Sequence, residues 1–204
     1  MAKKNDRNTK GRIISAAWKL FYEQGYDDTT IEEIIEESGT SKGSFYHYFK
    51  GKDALLGTLS LLFDEKYMEL AETMDPDMNC FDKLIFMNRE LFTMVENEIS
   101  LDLLARLYSS QLVTNGQKHL LDHNRYYYRL LKQVISEGQK RGEISDSMTV
   151  NEIVKLYALC ERSLLYDWCL CSGEYPLVKY ASQMLPVFLN GIRTDLPSGT
   201  QKNT

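Results

Sequence analysis

Apolar residues along this chain recur with a helical period from one end to the other. Ile13, Ala17, Leu20 and Phe21 fall on one face at i, i+4, i+7 and i+8, and Gly25 stands where a C-cap belongs. Thr30-x-x-Glu33 is a capping box that opens a second helix with Ile31, Ile34 and Ile35 as its stripe; Gly39 closes it after two turns. Ser41 caps a third short helix, in which Phe45 and Phe49 at i, i+4 point inward. A fourth is predicted from near Lys52 through Leu55, Leu59, Leu62, Phe63, Tyr67 and Leu70. Beyond Asp75-Pro76-Asp77 the pattern predicts helices over 79–96, 100–113 and 117–141, the last ending at Gly142 behind the favourable cations Lys140 and Arg141. A second capping box, Thr149-x-x-Glu152, starts a helix that reaches Cys171, and Pro176 suits the first turn of a final helix ending near Arg193. No stretch sustains a two-residue alternation. The expected fold class is all-α, with about nine helices.

Composition narrows the class of protein. The 204 residues suffice for one or two domains and a substantial core. No apolar run approaches the roughly 18 residues of a membrane span, and MAKKNDRNTK has no hydrophobic stretch after its charges, so neither a transmembrane segment nor a secretory signal is expected. All four cysteines lie beyond residue 79 without C-x-x-C spacing, and read as reduced thiols of a cytoplasmic protein. The net charge of -5 is unevenly spread: nine Lys/Arg face eight Asp/Glu through Lys52, and 15 face 21 beyond it. Lys3, Lys4, Arg7, Lys10 and Arg12 cluster against Asp6 alone, a basic arm that suits either contact with a polyanion or a solvated tail. The polar segment 196–204 is expected to be disordered.

Three helices in the first 50 residues, the last two joined by Gly39-Thr40-Ser41, make a helix-turn-helix pattern. With Phe45 and Phe49 inward, helical geometry leaves most of Lys42, Ser44, Tyr46, His47 and Tyr48 outside. Their ammonium, hydroxyl, imidazole and phenol groups hydrogen-bond base edges and phosphates. Gly43 costs a helix roughly 0.5–1 kcal/mol and suits close approach of a partner to the backbone. Lys52 stands where it can reach a phosphate beside backbone N–H groups. The competing reading makes Gly43 a chance defect and the aromatics part of the core.

The run from Gly25 to Leu56 resembles the N-terminal signature of the tetracycline-repressor (TetR) family, through Gly25, Thr30, Ile34, Gly39, Ser41, Gly43, Tyr46, Phe49, Lys52 and Leu55. That resemblance covers about a quarter of the chain. It implies a homodimeric, ligand-responsive transcription regulator, usually a repressor, and not an enzyme. It divides the chain into an arm and helix-turn-helix DNA-binding domain (1–50), a helical effector-binding and dimerisation domain (51–195) and a tail (196–204). Carried over by position, Thr30 would contact phosphate; Lys42, Gly43, Ser44 and His47 would lie over base edges; Tyr46, Tyr48 and Lys52 would contact mainly the backbone. With the cap Ser41, these are the expected DNA-binding residues. The family commonly has a small residue at position 35 and Val at position 40, where this chain has Ile35 and Thr40. Of Glu32, Glu33, Glu36 and Glu37, most are expected to point away from a duplex, whose phosphates they would repel. A Glu32 that faced it would discriminate between sites.

The expected mechanism places helix three of each subunit in successive major grooves of a near-palindromic operator, from which an effector releases the dimer by favouring a wrongly spaced state. Nine of the 13 tyrosines lie beyond residue 52, and Phe86, Met87, Tyr108, Tyr127, Tyr157 and Cys160 are candidates to line a pocket for an apolar or amphipathic small molecule. Glu161 has two readings, a partner for a cationic ligand or one for an internal group such as Arg. In Tyr126-Tyr127-Tyr128 at least one ring is expected outside. Wide apolar arcs on the last two helices, including Ile153, Leu156, Leu164, Trp168, Leu185 and Phe188, favour a second subunit. A thiol-based redox regulator using Cys160, Cys169 and Cys171 is one alternative, and a helical protein adaptor another. His119 and His123 at i, i+4 lack an evident third ligand, so no metal is expected; nor is any cofactor. No Ser/His/Asp order, phosphate loop or H-E-x-x-H favours catalysis.

Overall fold

A computed structural model describes residues 2–113 and 118–194, with side chains from Thr9 onward. The side chains of Lys3, Lys4 and Arg7 and the expected tail 196–204 lie outside the described residues. The helices are α1 (Ala2–Gln24), α2 (Ile31–Ser38), α3 (Lys42–Tyr48), α4 (Asp53–Leu56), α5 (Leu59–Thr73), α6 (Cys80–Glu98), α7 (Leu101–Val113), α8 (Tyr126–Arg141), α9 (Val150–Leu170) and α10 (Leu177–Leu189). Short 3-10 turns span His119–Leu121 and Asn190–Ile192. Among the described residues the one extended pairing is an antiparallel bridge between Ile144 and Arg193. None of the described helices is long and apolar enough to cross a membrane.

The described residues form two compact units, one within 2–62 and 102–121, the other within 63–101 and 122–194. In the first, α1 packs on α2 and α3 around Ile13, Ala17, Ile34 and Phe45, all fully buried. Among the described residues the expected fourth helix is interrupted, so that α4 and α5 stand in its place. Thr58 Oγ1 donates to the Leu55 carbonyl and accepts the Trp18 indole N–H at 2.9 Å, so a side chain takes a carbonyl that a continuous helix would use. Gly57 has no room for a side chain, because a Cβ there would lie 2.3 Å from the His119 ring.

In the second unit α6 packs on α8 and α10, and α9 on α8 and α10, around Leu84, Met87, Phe92, Leu131, Ile153 and Leu185. Carboxylates cap helix starts across this unit. Glu143 accepts the Cys80 N–H at 2.7 Å, and Glu96 accepts those of Leu177 and Val178 at 2.9 and 3.2 Å. Asp64 accepts from the Tyr127 N–H and pairs with Arg125 at 2.9 Å, where both side chains are about nine-tenths buried.

Two expected boundaries move. α8 begins at Tyr126 rather than 117, because Asp122 Oδ1 accepts the Asn124 N–H at 2.9 Å and folds 122–125 into a turn. His119 and His123 are therefore not one turn apart on a helix. Pro176 is the N-cap of α10 instead of lying in its first turn, and Pro186 falls inside that helix.

Candidate nucleic-acid interface

The turn between α2 and α3 is built from local caps and one long-range tie. Thr30 Oγ1 accepts the Glu33 N–H at 3.2 Å while Glu33 Oε2 accepts the Thr30 N–H at 2.7 Å, completing the capping box. Gly39 ends α2 at φ 58°, ψ 37°, a left-handed conformation that a side chain resists. From α1, Arg12 Nε donates to the Ser38 carbonyl at 2.9 Å and Nη2 to that of Gly39 at 2.5 Å. Arg12 thus serves the turn, although the sequence grouped it with the basic arm. Ser41 then starts α3 by accepting the Ser44 N–H at 3.1 Å.

Phe45 and Phe49 are buried, their ring centroids 6.0 Å apart. The opposite face is open: Lys42, Gly43, Tyr46 and His47 are exposed, and Ser44 and Tyr48 half-buried. A Cβ on Gly43 would meet only Ser41 Oγ, at 3.9 Å. Nothing in the fold demands a glycine there. Two of the α2 carboxylates are engaged within the protein, Glu33 in its cap and Glu37 on Lys19 at 2.7 Å. Glu32 reaches the Lys42 ammonium at 3.4 Å, on the same side as the open face of α3.

Lys52 corrects the expectation of a phosphate contact. Its ammonium donates to the carbonyls of Tyr26, Asp27 and Thr29, at 2.5, 3.2 and 2.8 Å, and lies 4.3 Å from the centre of the Tyr26 ring. Its three donors are occupied. It holds the loop that leads into α2.

In the second unit four side chains from four helices converge. Glu161 on α9 accepts from Tyr127 Oη at 2.5 Å, Asn88 Nδ2 at 3.0 Å and Tyr67 Oη at 3.3 Å. Its internal partners are therefore phenols and an amide rather than an Arg. Burial pushes the Glu161 carboxyl above its usual range against the pull of these donors, and pushes the phenols of Tyr67, Tyr127 and Tyr157 up too. Tyr157 hydroxyl donates to the Leu84 carbonyl at 2.8 Å. Of the other expected effector residues, Met87 and Cys160 are buried and Phe86 is half-buried under the Arg89 guanidinium. Tyr108 belongs to the first unit. Tyr67 and Asn88 escaped sequence reasoning, since each is one polar group within an apolar stripe. In the tyrosine run Tyr127 and Tyr128 are buried, and even Tyr126 is only half-exposed.

A cleft of about 720 Å³ opens in the first unit, lined by Tyr26, Tyr48, Lys50, Asp53, Arg106 and His119 among others. None of the seven expected effector residues lines it. Arg106 there is committed to Asp27 and Asp102, at 2.5 and 2.8 Å. Burial raises the Cys80 and Cys169 thiols to about 11 and shifts that of Cys160 upward, away from the reactive thiolate.

A short helix with an open polar face, set behind a capped glycine turn, is the architecture of a DNA-binding transcription regulator. Residues 13–59 match the model for bacterial regulatory proteins of the tetR family, and 62–191 match that for the C-terminal region of YsiA-like proteins. The chain belongs to the TetR family of ligand-responsive, DNA-binding transcription regulators. It is 24% identical to the fatty acid metabolism regulator protein of Bacillus subtilis over 185 residues, covering 89% of this chain and 94% of that protein. It is 27% identical to the transcriptional regulator QacR of Staphylococcus aureus over 194 residues, 92% of this chain and 85% of that one. Among solved structures, FadR of Thermus thermophilus in complex with lauroyl-CoA superposes with a TM-score of 0.71 at 20% identity, over 92% of this chain and 97% of that one. FadR of Bacillus subtilis in complex with stearoyl-CoA gives 0.66 at 22% identity, over 90% and 100%.

Proposed function

We propose that this chain is a cytoplasmic repressor whose homodimer grips a near-palindromic operator through the open face of α3 and lets go when an amphipathic effector binds. Lys42, Gly43, Ser44 and His47 read base edges, Tyr46 and Tyr48 contact the backbone, and Thr30 and Ser41 set the two helix starts. Residues 1–50 form the reading domain, and 51–195 the effector and dimerisation domain. The observation that carries this reading is Gly43: it weakens a seven-residue helix, and the fold gives no reason for it. A duplex pressed against that backbone does.

For the effector, fatty acyl-CoA is the first candidate. Support comes from the near full-length similarity to the fatty acid metabolism regulator and from the aromatic interior of the second unit. An operator selected from a random duplex pool, challenged with lauroyl-CoA and with stearoyl-CoA, tests both halves. Release of the duplex by micromolar thioester, and not by coenzyme A alone, is expected; continued retention excludes acyl-CoA as effector.

A further inference from the structure

The open face of α3 carries a feature that general affinity for a polyanion does not explain. Glu32 and Lys42 are 70% and 67% exposed as side chains, yet they meet at 3.4 Å. Glu33 and Glu37 on the same helix are engaged with Thr30 and Lys19, outside α3, whereas Glu32 contacts the first residue of α3. In the unbound protein this carboxylate offsets part of the charge of a cation that would otherwise attract any phosphate. Next to a duplex it repels phosphates and offers only acceptor oxygens. In the major groove those oxygens suit the exocyclic amines of cytosine or adenine, and are opposed by O6 and N7 of guanine and O4 of thymine.

We propose that Glu32 determines sequence specificity. On wrong sequence Glu32 remains against Lys42, and the pair contributes little to binding. On the correct step its carboxylate accepts from a base amine, and Lys42 is released to a phosphate or a guanine edge. Discrimination then comes from a repulsive group as much as from new attraction. This inference rests on α3 as the reading helix.

The experiment compares wild-type homodimer with Glu32→Gln and Glu36→Gln, each removing one negative charge from an exposed position on α2. Each protein selects sites from a random-sequence duplex pool, and anisotropy then gives its affinity for the wild-type site and for unselected duplex. At one position per half-site Glu32→Gln is expected to lose a preference for cytosine or, where the base is adenine, to keep adenine and admit bases whose acceptors the carboxylate repelled. The ratio of selected to unselected affinity is expected to fall about tenfold, the scale of one base contact, chiefly through tighter binding of unselected duplex. Glu36→Gln should leave both intact. An unchanged ratio in Glu32→Gln, or the same loss in Glu36→Gln, overturns the role of Glu32 and leaves α3 as the reader. Failure of wild type to bind any duplex instead overturns the reading of α3.

Discussion

Arg12 on α1 donates through Nε to the carbonyl of Ser38, 26 residues away, and so fastens the first helix to the turn in front of α3. The planar guanidinium also reaches Gly39, a two-carbonyl grip that a lysine ammonium reproduces poorly. Arg12→Ala is expected to lower stability by about 1–2 kcal/mol and to weaken DNA binding by more than its lost charge. Thermal unfolding and duplex titration at two salt concentrations check this. Unchanged binding in Arg12→Lys would mean that charge alone matters there.

The acid in the second unit gives a pH-dependent prediction. Folding raises the carboxyl of Glu161 above its ordinary 4.5, mainly through burial. The stability it contributes is therefore complete below pH 4.5 and declines as pH rises through the raised value. Tyr67, Tyr127, Tyr157, Asn88 and Cys160 surround it, and Glu161→Gln removes its titration while keeping one acceptor. The melting temperature of wild type relative to Glu161→Gln should fall between pH 4.5 and 8. Glu161→Ala, which strips three donors of their acceptor, should cost about 3 kcal/mol.

Gly57 and His119 form a testable pair. A Cβ at 57 falls 2.3 Å from His119 Cδ2, well inside van der Waals contact. Gly57→Ala is expected to destabilise by about 1–3 kcal/mol, and His119→Ala in the same chain to recover most of the loss. Additive effects in urea unfolding would show that the clash is relieved elsewhere.

Dimerisation is read from apolar surface. Leu159, Tyr166 and Leu170 stay 42–65% exposed along α9, as do Val187 and Phe188 on α10 at 67% and 49%. Sequence reasoning chose mostly other residues on these helices: Ile153, Leu164, Trp168 and Leu185 are buried within the unit. Leu159→Glu with Val187→Glu should convert a particle of twice 23.6 kDa into one of 23.6 kDa in sedimentation. Wild type sedimenting as the smaller species would contradict the assignment.

What was legible in the chain was local. Thr30 with Glu33, Thr149 with Glu152, and Phe45 with Phe49 announce themselves within four residues, and each forms as expected. What escaped depends on partners distant in sequence. Lys52 looks like a phosphate ligand until the carbonyls of Tyr26, Asp27 and Thr29 surround it. Glu161 acquires its meaning from Tyr67, Asn88 and Tyr127 on three other helices. The start of α8 was lost to the Asp122 turn, where one side-chain oxygen outcompetes an apolar periodicity.

The account rests on the outer face of α3 as a reader of duplex DNA, and titration of the selected duplex with wild type, Lys42→Ala and Tyr46→Ala tests this most directly. Both side chains are exposed, so both variants should fold as wild type does. Each is expected to bind at least about tenfold more weakly, in line with the loss of one good contact. Equal affinity for the duplex in all three proteins would contradict the account.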